Sequence, residues 1–263
     1  MQPLTVSLIQ TKTHWHDPQA NRDMFEGLLK DVPAQSQLVL LPEMFSTGFT
    51  MCSAEVAESM TGATVSWLLQ QAQNYGQVLC GSLVVVEQGK FYNRFVAAYP
   101  DGKLVHYDKR HRFRMAGEHE HYESGAEKIV FYVAGWRVCP MVCYDLRFPV
   151  WFRNCDDYDL LICVANWPKQ RQVAWNTLLR ARAIENQAYC AAVNIIGTDG
   201  NGTQYGGGSG VYGPDGRVLA ELTETGGGQS AQVITQILDG NSLQLLRQSF
   251  PVWQDADNFQ LNS

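Results

Sequence analysis

Three ionisable residues stand at the ends of apolar runs in this chain. Glu43 follows Leu38–Pro42, Lys109 follows Leu104–Asp108, and Cys143 follows Val138–Val142. Where neighbouring strands share a direction, their ends gather along one sheet edge, and ligands bind at such edges. A carboxylate, an ammonium and a thiol meeting there make a nucleophilic site. The thiolate attacks, the ammonium favours that thiolate, and the carboxylate takes the proton. No serine-centred arrangement competes: the histidines, at 14, 16, 106, 111, 119 and 121, stand in no nucleophile-elbow context.

Other candidates are weighed the same way. Arg147 stands four residues past Cys143, so in a helical turn its side chain returns to the face of the thiol. There its fork suits a substrate carboxylate; the alternative is an internal salt bridge with Asp145 or Asp157. Phe45 and Trp167 read as pocket wall or as core. Arg180, Arg182 and Glu185 read as pairs within or beside one helix. Glu118-His-Glu-His121 holds two histidines without a third firm ligand, which reads as loop surface and no metal site. The glycine-rich stretches fit neither phosphate-loop pattern, so no nucleotide cofactor is expected.

The elements that must position these residues are short β runs and a few helices. Leu4–Gln10, Leu38–Pro42, Val78–Val86, Phe91–Tyr99 and Leu104–Tyr107 read as strands, with turns near Gly89 and at Asp101-Gly102. Ile129–Val133, Trp136–Val142, Leu160–Val164, Tyr189–Val193, Gly208–Tyr212, Arg217–Glu221 and Ala231–Ile237 continue the series. Helical spacing marks Asn21–Lys30, Val65–Asn74 and, most clearly, Val173–Asn186. The glycines at 206–208 and 226–228 are turn-sized, and no linker divides the chain. Strands and helices mixed throughout predict one layered α/β domain.

Composition narrows the function further. The chain has 263 residues, of which 45% are hydrophobic and 17% charged, with a formal net charge of −6. That supports a sizeable core and argues against disorder. The densest basic run, Lys109–Arg114, is short and isolated, so nucleic acid is not an expected partner. No run of apolar residues is long enough for a spanning helix, and the start does not read as a signal peptide. Seven cysteines without a C-x-x-C pair point to reduced thiols in the cytoplasm, with Cys139 and Cys163 inert inside strands.

Leu40-Leu-Pro-Glu43-Met-Phe, Tyr107-Asp-Lys109-Arg-His and Val142-Cys143-Tyr-Asp-Leu-Arg-Phe-Pro149 resemble, in order, the three catalytic motifs of the nitrilase superfamily of carbon–nitrogen hydrolases. Val164-Ala-Asn-Trp-Pro168, Ala181–Asn186 and the Gly207-Gly-Ser209 turn are similar too. Within the superfamily the chain most resembles the bacterial omega-amidases. The resemblance implies a four-layer α-β-β-α sandwich over residues 4–238, with a tail over 239–263 packing on the domain or a partner subunit. It implies a small linear amide as substrate, most of all the terminal amide of a 2-oxo dicarboxylic acid, cleaved through a Cys143 thioester without metal or cofactor. Glu43 would be the general base and acid, and Lys109 with the backbone N–H of Tyr144 would hold the oxyanion. Glu118, at the family's spacing before Gly125, would order the site, with Glu120 and Glu123 as alternatives. Arg147, Phe45 and Trp167 would bind substrate, and Val173–Asn186 would lie near the interface of a homodimer or larger homo-oligomer. The apolar-aromatic stretch Phe250-Pro-Val-Trp253 is read as reaching a neighbour. A nitrile, a carbamoyl amine or deaminated glutathione would suit the same motifs. A non-catalytic interaction protein on this scaffold has no physical need for all three residues.

Overall fold

The computed structural model describes residues 1–222, 230–257 and 259–261; the glycines at 226–228 lie outside them. In chain order the elements are β1 (Leu4–Gln10), α1 (Pro18–Leu29), β2 (Leu38–Leu40), α2 (Ser53–Val56), α3 (Ala63–Tyr75), β3 (Val78–Glu87), β4 (Lys90–Ala98), β5 (Leu104–Asp108) and α4 (Glu118–His121). Then come β6 (Phe131–Val133), β7 (Trp136–Val142), β8 (Leu160–Val164), α5 (Gln172–Asn186), β9 (Tyr189–Val193), β10 (Ile196–Thr198), β11 (Gln204–Gly206), β12 (Gly210–Tyr212), β13 (Val218–Glu221), β14 (Gln232–Leu238) and α6 (Gly240–Ser249). One sheet runs β14-β1-β2-β3-β4-β5 and the other β13-β12-β9-β8-β7-β6.

The order of layers follows from which faces are apolar. Phe25 and Leu29 of α1 and Val65, Leu68 and Ala72 of α3 cover the outer face of the first sheet, meeting Ile9, Val39 and Leu79. Leu8, Leu40 and Phe95 turn the other way, into a core shared with Val138 and Ile162 of the second sheet. Trp175, Leu179 and Ala183 of α5 close that sheet from outside. The result is the α-β-β-α sandwich, a single domain. Strands covered on both faces are buried at polar positions as well. Ser7, in mid-β1, is fully buried and shares its hydroxyl with Ser36 and Thr235, each at 2.7 Å.

Three local features were not in the pattern of apolar residues. α1 begins at Pro18, where its missing N–H costs nothing, and the Asp17 carboxylate accepts from Ala20 N at 3.0 Å. β10 and β11 form a small separate hairpin. Within 239–263, α6 buries Leu243 against the core, while Phe250 and Trp253 after it are partly exposed. No helix among the described residues is long and apolar enough to cross a membrane.

Strand direction places the site. β1, β2 and β3 are mutually parallel, β5 returns to that direction through antiparallel β4, and β7, β8 and β9 are parallel. The carboxyl ends of β2, β5, β7 and β8 therefore carry Glu43, Lys109, Cys143 and Asn166 to one edge of the sandwich.

Candidate active site

The three sequence-predicted residues do converge, and they are buried. The Lys109 ammonium lies 2.9 Å from Glu43 Oε1 and 2.9 and 3.0 Å from the two oxygens of Glu118, with exposures of 1%, 0% and 0% for the three side chains. Burial opposes the lysine's charge, but Glu118 and Glu43 outweigh it and hold its pKa well above the usual range. Burial also raises the Glu118 carboxyl, Lys109 opposes that rise, and the Glu43 charge adds to it. Glu120 and Glu123, the alternatives, face solvent instead. The spacing to Gly125 has a steric reason. Gly125 N donates to the Lys109 carbonyl at 3.0 Å, and a Cβ there would lie 1.9 Å from the Asp108 carbonyl oxygen.

Two asparagines that carried no signal as partners complete the cluster. Asn93, on β4, donates to Glu43 Oε1 at 2.8 Å and Glu118 Oε1 at 3.3 Å, and accepts from Ser82 Oγ at 2.8 Å. Asn166, just past β8, donates its backbone N–H to Glu43 Oε2 at 2.9 Å and its Nδ2 to the Glu43 carbonyl at 2.7 Å. The sequence did hold a hint of each: Asn93 interrupts an apolar run, and Asn166 sits inside the family-like Val164–Pro168 segment.

Cys143 opens a 3-10 turn, Cys143–Arg147, directly after β7 and takes φ +47°, a left-handed conformation rare outside glycine. Met44, directly after Glu43, is also left-handed at φ +41°. Such backbone persists only where the surroundings over-determine it. Here Asp145 supplies that restraint. Its buried carboxylate accepts from Val142 N at 3.1 Å, Tyr107 Oη at 2.9 Å, His111 N at 3.0 Å and the His111 ring at 2.8 Å. From α5, Arg182 donates to the Leu146 carbonyl at 2.6 Å as well as pairing with Glu185 at 2.9 Å, while Arg180 donates to the Gly216 carbonyl.

Of the two influences expected on the thiol, the ammonium that favours the thiolate and the carboxylate that takes the proton, the first is the weaker here. Burial pushes the Cys143 thiol well above its usual range and the adjacent Glu43 carboxylate adds to the rise; Lys109 pulls it down without reversing it. The lysine's charge is already shared between two carboxylates. Burial and the Glu43 charge thus both disfavour the thiolate. Cys139 and Cys163, inside β7 and β8, are raised chiefly by burial.

A pocket of about 340 Å³ opens over Cys143 and Lys109, walled by Phe49, Phe113, Tyr144, Arg147, Trp167 and Tyr205 among others. Arg147 lies in it with its guanidinium carbon 4.9 Å from the Trp167 ring centre. Neither internal salt bridge forms: Asp145 is engaged by Val142, Tyr107 and His111, and Asp157 pairs with Lys128 at 2.6 Å. Trp167 is both wall and core, donating Nε1 to the Arg171 carbonyl and packing on Trp175. Phe45 is not in the pocket. It is fully buried between Phe25 and Trp67 under the helical layer, because Met44's left-handed turn swings the chain back and Phe45 N donates to the Ser82 carbonyl. Phe49 takes the wall position, its ring centre 5.4 Å from Lys109 Nζ.

Known proteins share this architecture. The carbon–nitrogen hydrolase family model matches residues 5–248. Omega-amidase YafV of Yersinia enterocolitica is 45% identical over 99% of this chain and 100% of its own length. The 2-oxoglutaramate amidase of Bacillus subtilis is 31% identical, over 95% of this chain and 96% of its own. A CN-hydrolase superfamily protein of Xanthomonas campestris, solved with an arsenic adduct in its active site, superposes over the whole of both chains with a TM-score of 0.95 at 44% identity. The buried Glu43–Lys109–Cys143 edge thus sits in a scaffold shared along its full length, and the chain belongs to the carbon–nitrogen hydrolase family.

Proposed function

We propose that this enzyme hydrolyses the terminal amide of small 2-oxo dicarboxylic acid monoamides, such as 2-oxoglutaramate and 2-oxosuccinamate, to the 2-oxo diacid and ammonia. The observation that carries the reading is the convergence of Cys143 with Lys109, itself 2.9 Å from the Glu43 carboxylate, in a pocket that also holds Arg147. Its full-length likeness to proteins named omega-amidase and 2-oxoglutaramate amidase supports the substrate class.

The steps follow from the geometry. Glu43 takes the thiol proton as Sγ bonds to the amide carbon, and the carbonyl oxygen becomes an oxyanion. Lys109 gives one N–H to Glu43 and shares another between the Glu118 oxygens, which leaves its third for the oxyanion. The Tyr144 N–H, early in a helical turn and without a partner inside it, is the second donor. Glu43 returns its proton to the nitrogen, ammonia leaves, and a thioester remains on Cys143. Water then gives a proton to Glu43 and attacks the thioester carbon; the thiol leaves with that proton and the acid is released. Glu118 and Asn93 keep Lys109 and Glu43 aligned throughout.

Ammonia release from a panel of amides and a nitrile, before and after alkylation of Cys143, tests the reading. We expect 2-oxo acid amides to be turned over fastest and alkylation to abolish it. Turnover confined to a nitrile or a carbamoyl amine would overturn the substrate class. We further propose a cytoplasmic homodimer that meets through α5, where Val173 and Ile184 are 83% and 51% exposed. Light scattering at the 29.5 kDa monomer mass at micromolar concentration would overturn the dimer.

A further inference from the structure

The pocket walls come from separate loops, and one half-buried side chain that touches no reacting group lies between two of them. A Cβ on Gly48 would sit 3.0 Å from Trp15 Cε3, and one on Gly200 would sit 2.4 Å from Trp15 Cδ1 and Nε1. Gly48 precedes Phe49 and Gly200 follows Asp199, and both Phe49 and Asp199 line the pocket. The indole thus fills the space between the loop after Glu43 and the loop of the β10–β11 hairpin. A Cβ on Gly200 would clash with the indole, and one on Gly48 would press on it at a φ of +77° that already favours glycine.

Trp15 is itself anchored. The His16 ring stacks on it, with centroids 4.5 Å apart and planes at 13°. His16 N donates to the Thr47 carbonyl at 3.0 Å, and His16 Nε2 shares a hydrogen bond with Thr50 Oγ1 at 2.8 Å. The opposite loop is stiffened by Asp199, whose carboxylate accepts from Asn201 N, Thr203 N and Tyr205 Oη at 2.8–2.9 Å. Two stiff walls resting on one flat ring have their separation set by the ring.

We propose that Trp15 is a specificity-determining positioning residue: it spaces the wall carrying Phe49 and Met51 from the wall carrying Asp199, Asn201 and Thr203, and so limits how bulky an acyl group reaches Cys143. The effect on amide choice rests on the amidase reading; the spacing does not. The test compares Cys143 labelling by iodoacetamide and by the bulkier N-phenylmaleimide, read by peptide mass mapping, in Trp15→Ala, Gly200→Ala and Trp15→Phe proteins. The maleimide-to-iodoacetamide ratio at Cys143 should rise about tenfold in Trp15→Ala, and in the same sense in Gly200→Ala, where the added Cβ wedges the loop off the indole. It should stay near the wild-type value in Trp15→Phe, and the ratio at exposed Cys155 should not change. With 2-oxosuccinamate, KM should rise about tenfold with kcat held within about twofold, the split expected when only binding geometry moves. An unchanged Cys143 ratio in both Trp15→Ala and Gly200→Ala overturns the proposal. Labelling needs no amide substrate, so the ratio still decides the spacing role if the amidase reading fails.

Discussion

Strands β7 and β8 carry an ionic cluster at each end, and the two clusters differ in what surrounds them. At the amino ends, Arg137 and Arg247 meet Asp159 at 2.8 and 3.0 Å and Asp156 at 3.1 and 3.2 Å, with Arg137 and Asp156 28% and 46% exposed. Each positive charge there has a negative partner and water within reach. Arg247 also donates to the Tyr158 and Gln187 carbonyls, which fastens α6 to the domain. At the carboxyl ends, one ammonium serves two carboxylates beside a thiol, with almost no exposure. That cluster sets one positive charge against two negative ones with no solvent to screen them. One end of each strand is spent on holding the chain together and the other on chemistry.

The contrast is broken most severely by removing the one cation of the buried cluster. Lys109→Met leaves two buried carboxylates facing each other without a counter-charge. Unfolding titrations should show a loss of about 3–5 kcal/mol at neutral pH, together with loss of turnover. The pH dependence has a definite sign. Glu118 is already raised in the native protein, and without Lys109 it rises further above its unfolded value. The variant is therefore most stable below the unfolded carboxyl pKa and weakens as pH climbs through the folded one. Flat stability from pH 4 to 8 would show the cluster is not electrostatically frustrated. Glu43→Gln is the milder probe, because an amide keeps the shape and an acceptor oxygen. Its melting temperature should stay close to wild type while kcat falls by a factor on the order of 10² or more.

The arginines sharpen the same comparison. Arg137 and Arg247 are paired, whereas Arg147 lies over Trp167 in the pocket with no carboxylate partner among the described residues. Arg147→Met should therefore leave melting unchanged. It should lower kcat/KM for 2-oxosuccinamate by about 10- to 150-fold, the worth of a charge-assisted contact, and that for butyramide much less. Equal losses on the two amides would place the substrate carboxylate elsewhere.

The two ends were unequally legible in the sequence. Glu43, Lys109 and Cys143 announced themselves because chemistry placed each at the end of an apolar strand, and strand direction did the rest. Strands β7, β8 and β9 carry the same bounds in sequence and structure, since short apolar runs buried on both faces leave few registers open. Asn93 and Asn166 went unassigned because their partners are 50 and 123 residues away along the chain. Phe45 and Phe49 look alike in sequence; the left-handed turn at Met44, which no residue type announces, sends Phe45 to the helical layer. The β10–β11 hairpin and the Trp15 contact depend on loop shape, where apolar periodicity carries no information.

The smallest expected effect belongs to the amino end. Asp159 accepts from Arg137 N, Nε and Nη2 at 3.1, 3.0 and 2.8 Å and from Arg247 Nη1 at 3.0 Å. Burial works to raise its pKa, but the bonds from Arg137 and the charge of Arg247 prevail and hold the carboxyl below its usual range. Asp159→Asn keeps one acceptor oxygen and removes the charge, so the loss should be about 1–3 kcal/mol in urea unfolding at pH 7. A group whose folded pKa is depressed stabilises above its unfolded value, near 3.9, and loses that contribution as pH falls through the folded one. Wild type and variant should thus differ by a constant amount down to about pH 5 and converge below about pH 4. Val164, at the far end of β8, is five residues on, roughly 16 Å at the rise of an extended strand. Turnover of the folded variant at pH 7 should therefore match wild type. A variant that keeps its stability but loses kcat would mean that the two ends of β8 are coupled, and that the division between holding and chemistry fails.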